Sequence, residues 1–116
     1  MVHSVERIVE FIKPYYPEIS AEGLREVIEK HIEYDTIAYP TDKDGEFLGV
    51  AVWNIKDDTA YIESVVVNPK YERGRVLKYL VGIGWTKFKW VKYIAFERRF
   101  KKNDKGMRKY KISSFF

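Results

Sequence analysis

Read for the spacing of its apolar positions, the chain divides into helical stripes and short strands. Val5, Ile8, Val9, Phe11 and Ile12 line one side of a helix, with Ser4 as its expected N-cap and Pro14 as its end. Beyond Tyr15-Tyr16-Pro17-Glu18-Ile19, Ser20 caps a second helix. Glu22 stands in its first turn, where the helix dipole favours an acid, and Leu24, Val27, Ile28, His31 and Ile32 make its buried face. Residues 35–40 read as a short strand, 41–45 as a turn with an Asp-Gly signal, 46–55 as a second strand and 56–58 as another tight turn. Tyr61-Ile62-Glu63-Ser64-Val65-Val66-Val67 is a third strand, rich in β-branched and aromatic residues and stopped by Asn68-Pro69. Short polar turns between the three predict an antiparallel meander.

A cationic loop, Lys70-Tyr71-Glu72-Arg73-Gly74-Arg75, leads into a second kind of pattern. Val76, Leu77, Leu80, Val81, Gly84, Trp85 and Phe88 recur at the spacing of a helix of about four to five turns. Residues 92–97 make a fourth strand. A helix between two strands implies a crossover, so this strand is expected to lie parallel to the third. Residues 98–111 are basic, with turn chemistry at Asn103-Asp104-Lys105-Gly106, and residues 110–116 read as a closing strand. The fold class is α+β: a helical hairpin, a three-stranded meander, a crossover helix, a parallel strand and a C-terminal strand.

Composition narrows the picture. A length of 116 residues fits one domain spanning 1–116, and 46% hydrophobic content argues against disorder. The chain has no cysteine, which removes disulfides, thiolate metal sites and thiol nucleophiles. No apolar run approaches a membrane span, and Glu6 breaks any signal-peptide pattern, so a cytoplasmic address is the default expectation. The absence of Cys and Gln beside many charges hints at a thermophilic source. Charge is unevenly placed: residues 1–63 hold 6 Lys/Arg against 14 Asp/Glu, and residues 64–116 hold 15 against 3. The basic half suits nucleic acid, a phosphate-bearing cofactor or an acidic partner.

The third strand, its basic turn and the following helix aim backbone N–H groups and a positive helix end at one point, a geometry that suits an anion. Any strand-to-helix junction has this shape, however, and residue chemistry alone slightly favours a plain solvated loop. His31 is expected to be a core or rim histidine, because nothing at metal spacing accompanies it. Asp42, Asp44 and Glu46 alternate like calcium-loop acids, but no glutamate closes a twelve-residue loop, so a solvated turn is the better reading.

Ile62-Glu63-Ser64-Val65-Val66-Val67-Asn68-Pro69-Lys70-Tyr71, then Arg73-Gly74 and a helix with Leu80-Val81, resembles the GNAT superfamily of acyl-coenzyme-A-dependent N-acyltransferases. The stretch is similar to that family's fourth strand, Val-x-Pro-x-Tyr junction and pyrophosphate turn, and Glu46-Phe47-Leu48-Gly49-Val50-Ala51 is similar to its third strand. The turn departs from the family pattern. In one register Arg75 and Leu77 stand on the small-residue positions, in the other Val76 and Lys78, so the chain resembles a divergent member with a degenerate turn. The resemblance implies two parallel strands that splay apart with acetyl-CoA between them. Val65 and Val67 would offer main-chain contacts to the pantetheine, and Arg73, Gly74, Arg75 and Val76 would hold the phosphates.

Acyl transfer to an amine needs a group to take the amine's proton. Glu63 and Glu97 are the candidate carboxylates near the splay, and Tyr110 is the nearest phenol to where the family tends to supply a general acid. A surface carboxylate and an ion pair with Arg98 or Arg99 are the plainer readings of the two glutamates. The alternative is a non-catalytic GNAT-like protein, of a kind that occurs in viral genomes, that binds nucleic acid or a protein. Its site would be Arg98, Arg99, Lys101, Lys102, Arg108 and Lys109, interleaved with Phe100 and Tyr110. A solvated, lysine-rich hairpin that protects a sheet edge accounts for the same residues.

Overall fold

The computed structural model describes residues 2–97 and 107–115. Helix α1 (Val2–Ile12) passes through a 3-10 turn (Lys13–Tyr15) towards α2 (Ala21–Glu33). No breaker precedes Ser4, so α1 runs through it and Ser4 is not the cap. Ser20 does cap α2, accepting from the N–H of Gly23 at 3.0 Å. Strands β1 (Ile37–Ala38), β2 (Gly49–Lys56) and β3 (Thr59–Val67) form the meander. Helix α3 (Arg73–Lys87) crosses to β4 (Tyr93–Glu97), and β5 (Met107–Lys111) returns antiparallel before a closing 3-10 turn (Ile112–Phe115). The sheet has the order β1-β2-β3-β4-β5, and β3 and β4 run parallel, as the crossover predicts.

The ends of several elements differ from the sequence reading for local reasons. The second strand begins at Gly49, because Asp42 Oδ1 accepts from the N–H groups of Asp44 (2.8 Å) and Glu46 (3.0 Å). That bends the chain around Gly45 at φ +82° and leaves Phe47 only an isolated bridge to Thr41. Val27 is 46% exposed, whereas Leu24, Ile28 and His31 are buried, so the apolar stripe of α2 is narrower than its composition suggests. Phe88 lies just past the end of α3, and the closing strand falls earlier, at 107–111.

The sheet is covered on both faces. Val5, Ile8, Val9 and Ile12 of α1 and Leu24 and Ile28 of α2 pack on one face against Val50, Val52 and Val66. Val76 and Leu80 of α3 pack on the other against Ala51, Trp53 and Val67. Each such side chain contributes on the order of 1.5–3 kcal/mol when fully buried. Gly49 allows the close seat of α3: a Cβ there would stand 2.8 Å from the Val66 carbonyl oxygen and 3.1 Å from Val76 Cγ1.

Candidate active site

Strands β3 and β4 pair only at Thr59–Tyr93, Ala60–Ile94 and Tyr61–Ala95 among the described residues. Beyond that point β3 continues to Val67 on β2 alone, while Phe96 and Glu97 pair with β5 alone. The two strands therefore part, and no described residue pairs with that edge of β3 from Ile62 onwards. The N–H of Asn68 donates to Leu48 O on the β2 side at 2.9 Å. Antiparallel alternation then turns the main-chain groups of Val67 and Val65 to the other edge, into the gap. A cavity of about 740 Å³ fills this wedge and extends under α3. Trp53, Trp85 and Phe96 line it without plugging it.

The N-terminus of α3 stands at the mouth of the wedge. Glu72 occupies the cap position but makes no side-chain cap bond. Val76 N–H donates to Glu72 O at 3.2 Å, so the unsatisfied amides of the first turn are those of Arg73, Gly74 and Arg75. Val76 itself is buried with its amide engaged, which makes it a packing residue of this turn and not a donor. Arg73 lines the cavity. The Arg75 side chain is 85% exposed and lies 3.4 Å from Glu72, so it does not occupy the space in front of the helix. A Cβ on Gly74 would find nothing nearer than Glu72 Oε1 at 4.0 Å. Open space, orphan amides and two guanidinium groups fit a diphosphate despite the missing small residues.

The turn is braced from behind. Tyr71 donates its hydroxyl to Asp42 Oδ2 at 2.6 Å, and Asn68 donates to Glu46 Oε1 and to Phe47 O, each at 2.9 Å. The carboxylate beside it pushes the Tyr71 phenol up to about 12, and the same bond holds the Asp42 carboxyl below its usual range.

Glu63 sits at the inner end of the wedge for a reason the alternating pattern hides. The β2–β3 register slips between Val52–Ser64 and Trp53–Ile62, so Glu63 is an extra residue with no partner on β2. This bulge places it on the same face as Ser64, towards the helical hairpin, where strict alternation would have placed it with Val65 under α3. There Glu63 Oε1 lies 3.2 Å from His31 Nε2, and Oε2 accepts from Asn54. A carboxylate only accepts, so His31 Nε2 carries the proton, and in the neutral ring Nδ1 accepts from Thr36 Oγ1 at 2.8 Å. Tyr16 and Ser64 share a hydrogen bond on the same face and also line the cavity.

Of the predicted residues, Glu63, Val65 and Arg73 line the cavity, Val67 lies further along β3, and Gly74 and Arg75 stand in the first turn of α3 at its mouth. Glu97 ends β4, in register with Met107, and its side chain is outside the described residues. Tyr110 stands apart from the cavity lining, its ring stacked on Phe96 with centroids 5.2 Å apart. Of the basic tail, Arg98, Arg99, Lys101 and Lys102 fall outside the described residues, as does the side chain of Arg108. The ammonium of Lys109 lies 4.5 Å over the ring of Tyr93. Sequence reasoning missed Asn54, Tyr16 and Ser64, and placed His31 in the core without its link to Glu63. Among the described residues no three His, Asp or Glu side chains gather at metal spacing, and no helix is long and apolar enough to cross a membrane.

Three helices on a five-stranded mixed sheet, opened between two parallel strands with a helix N-terminus at the mouth, define an α+β protein. The profile of the acetyltransferase (GNAT) family matches residues 5–102, and the chain belongs to that family. Solved structures agree on the fold. The aminoglycoside 6'-N-acetyltransferase from Enterococcus faecium superposes with a TM-score of 0.65 at 13% identity, over 83% of this chain and 56% of that one. The diaminobutyrate acetyltransferase EctA from Paenibacillus lautus, solved with its substrate and coenzyme A, gives 0.60 at 14% over 81% and 59%. The PaiA N-acetyltransferase from Thermoplasma acidophilum, solved with coenzyme A, gives 0.62 at 16% over 88% and 77%. The chain spans less than two-thirds of the length of the first two of these proteins. No curated protein matches it.

Proposed function

We propose that the chain binds an acyl-coenzyme A in the wedge and transfers the acyl group to an amine. The observation that carries this is the early end of the β3–β4 ladder, which leaves the main-chain groups of Val65 and Val67 facing a gap below an uncapped helix N-terminus. Val65 and Val67 bond the pantetheine amides. Arg73, Gly74 and Arg75 hold the diphosphate, with arginine charge in place of the closer backbone approach that small residues allow. Several structural relatives were solved with coenzyme A or acetyl-CoA bound, which supports this cofactor class.

Once bound, the thioester supplies an activated carbonyl whose C–S bond breaks as the amine forms a C–N bond. Glu63 takes a proton from the incoming ammonium, directly or through one water, so that nitrogen has a lone pair for attack. The nitrogen sheds a second proton as the amide forms, the leaving thiolate takes one up, and one proton is released overall. His31 and Asn54 each hold one oxygen of Glu63, which fixes its orientation at the wedge. The helical-hairpin face, with Tyr16, Asn54, Glu63 and Ser64, is the side from which the amine enters. Acetyl-CoA is the first cofactor to test. It should raise the melting temperature in a concentration-dependent way. Glu63→Gln should keep that shift while losing transfer to a panel of amines. No shift at millimolar acetyl-CoA would sink the reading.

A further inference from the structure

The cavity is larger than the wedge and changes character past it. Apart from the indole of Trp85, its polar side chains stand in the wedge or at the last ladder pair beside it: Tyr16, Asn54, Tyr61, Glu63, Ser64 and Arg73. Beyond the last ladder pair it continues beneath the C-terminal half of α3. There its lining is Ile55, Ala60, Phe88, Val91, Ile94 and Ile112, with no polar side chain among them. Val91, Ile94 and Ile112 are 3%, 3% and 6% exposed, so this end is part of the folded interior surface. An acetyl group placed at Glu63 ends in a single methyl and leaves this stretch without a partner.

Resting on the cofactor reading above, we propose that the acyl group this site takes is longer than acetyl, an unbranched chain of about six carbons. From Ile62 to Ala60 the floor runs two residues past the wedge, roughly 7 Å at the usual strand rise. At about 1.5 Å per carbon–carbon bond, that distance holds four or five carbons beyond the carbonyl. Apolar walls reward each methylene and offer nothing to a polar or charged acyl terminus. The thioester carbonyl stays in the gap between β3 and β4, the amine reaches it past Glu63 from the helical-hairpin face, the acyl chain leaves it on the α3 face, and the bonds made and broken are those already given. The chain lies along the sheet beneath Trp85 and Phe88 of the α3 segment.

The test compares dissociation constants of coenzyme A, acetyl-CoA and hexanoyl-CoA by calorimetry, which needs no knowledge of the amine. Full burial of a methylene is worth about fourfold in affinity. Four added methylenes in a groove partly open to water should therefore tighten hexanoyl-CoA over acetyl-CoA by at least about tenfold. Ala60→Leu shortens the floor and should return the hexanoyl-to-acetyl ratio towards one. Trp85→Ala removes a wall from a residue already 37% exposed, and should lower the ratio if Ala60→Leu fails to fold. Hexanoyl-CoA binding no tighter than acetyl-CoA would overturn the proposal and leave the cofactor reading standing. Tight hexanoyl binding that neither variant alters would place the chain elsewhere and overturn it too. Failure of all three ligands to bind would remove the cofactor reading itself, a result distinct from the others.

Discussion

Gly74→Ala separates folding from phosphate binding at one atom. Gly74 is the second residue of α3, and its φ is not in the left-handed region, so alanine suits its backbone. The added methyl would meet nothing within 4 Å except Glu72 Oε1 at the limit, so no clash opposes it. Replacing glycine by alanine in a helix is worth about 0.5–1 kcal/mol, and less in the first turn. For a chain of this size that is a rise in melting temperature of roughly 2–4 °C at most. The same methyl projects into the open space before the orphan amides, where a phosphate oxygen must approach. Loss of one charge-assisted hydrogen bond costs about 1.5–3 kcal/mol, or about ten- to a hundredfold in affinity. Thermal melts with and without coenzyme A, together with calorimetry, read both effects from the same samples. The expected result is a variant at least as stable as the parent that binds coenzyme A at least about tenfold more weakly. Unchanged affinity would show that the diphosphate does not sit at Gly74. A marked loss of stability would show that the turn is packed differently.

Three further outcomes follow from the packing and hydrogen bonds of the fold. Gly49→Ala forces a methyl to 2.8 Å from a backbone oxygen and should destabilise the fold by about 1–3 kcal/mol in urea or guanidinium titration; a neutral effect would mean that α3 is not seated on β2 as described. Tyr71 should ionise near pH 12 when followed by the phenolate absorbance lost in Tyr71→Phe; because its folded value is raised, the stability from its bond to Asp42 is complete below pH 10 and is lost as pH climbs towards 12, and Tyr71→Phe should abolish that dependence. His31→Leu removes a buried ring bonded at both nitrogens and should cost about 1–3 kcal/mol, and where transfer can be assayed it should lower kcat more than it raises KM, because Glu63 is then held by Asn54 alone.

Much of the architecture could be read from patterns of two and of three to four residues. The stripe Val5, Ile8, Val9 and Ile12 packs as its spacing requires, Ser20 caps α2, and the run from Tyr61 to Val67 is a strand flanked by β2 and β4. The unpaired edge of Val65 and Val67 was legible only through the resemblance, because periodicity reports which face a side chain takes and not whether a neighbouring strand pairs. The environment of Glu63 was illegible for a related reason. One extra residue in β3 shifts every inference from parity, and nothing in Tyr61-Ile62-Glu63-Ser64 marks where the register slips. His31 lies 32 positions before Glu63 in the chain, so no local window joins them. Val27 misled in the opposite direction, since an apolar residue at the margin of a stripe tolerates solvent.

The turn shows how a motif can lapse while its physics persists. Small residues matter at a diphosphate site because they let amides approach the oxygens, and that requirement holds where the backbone wraps the ligand closely. Here the helix starts at Arg73, immediately after the uncapped Glu72, so clearance is needed only in front of the first-turn amides, where Gly74 supplies it. Bulk at Arg75 then does little harm, because that side chain runs into solvent towards Glu72. The remaining anomaly is Glu72, an acid beside a site meant for an anion. With the Glu72 and Arg75 side chains 72% and 85% exposed, their ion pair is screened and weak, and an incoming diphosphate outcompetes one carboxylate for the guanidinium. Charge on this helix end thus adds to the approach that Gly74 alone allows, which is why a pattern search on several small residues undervalues a turn that keeps its donors and its open space.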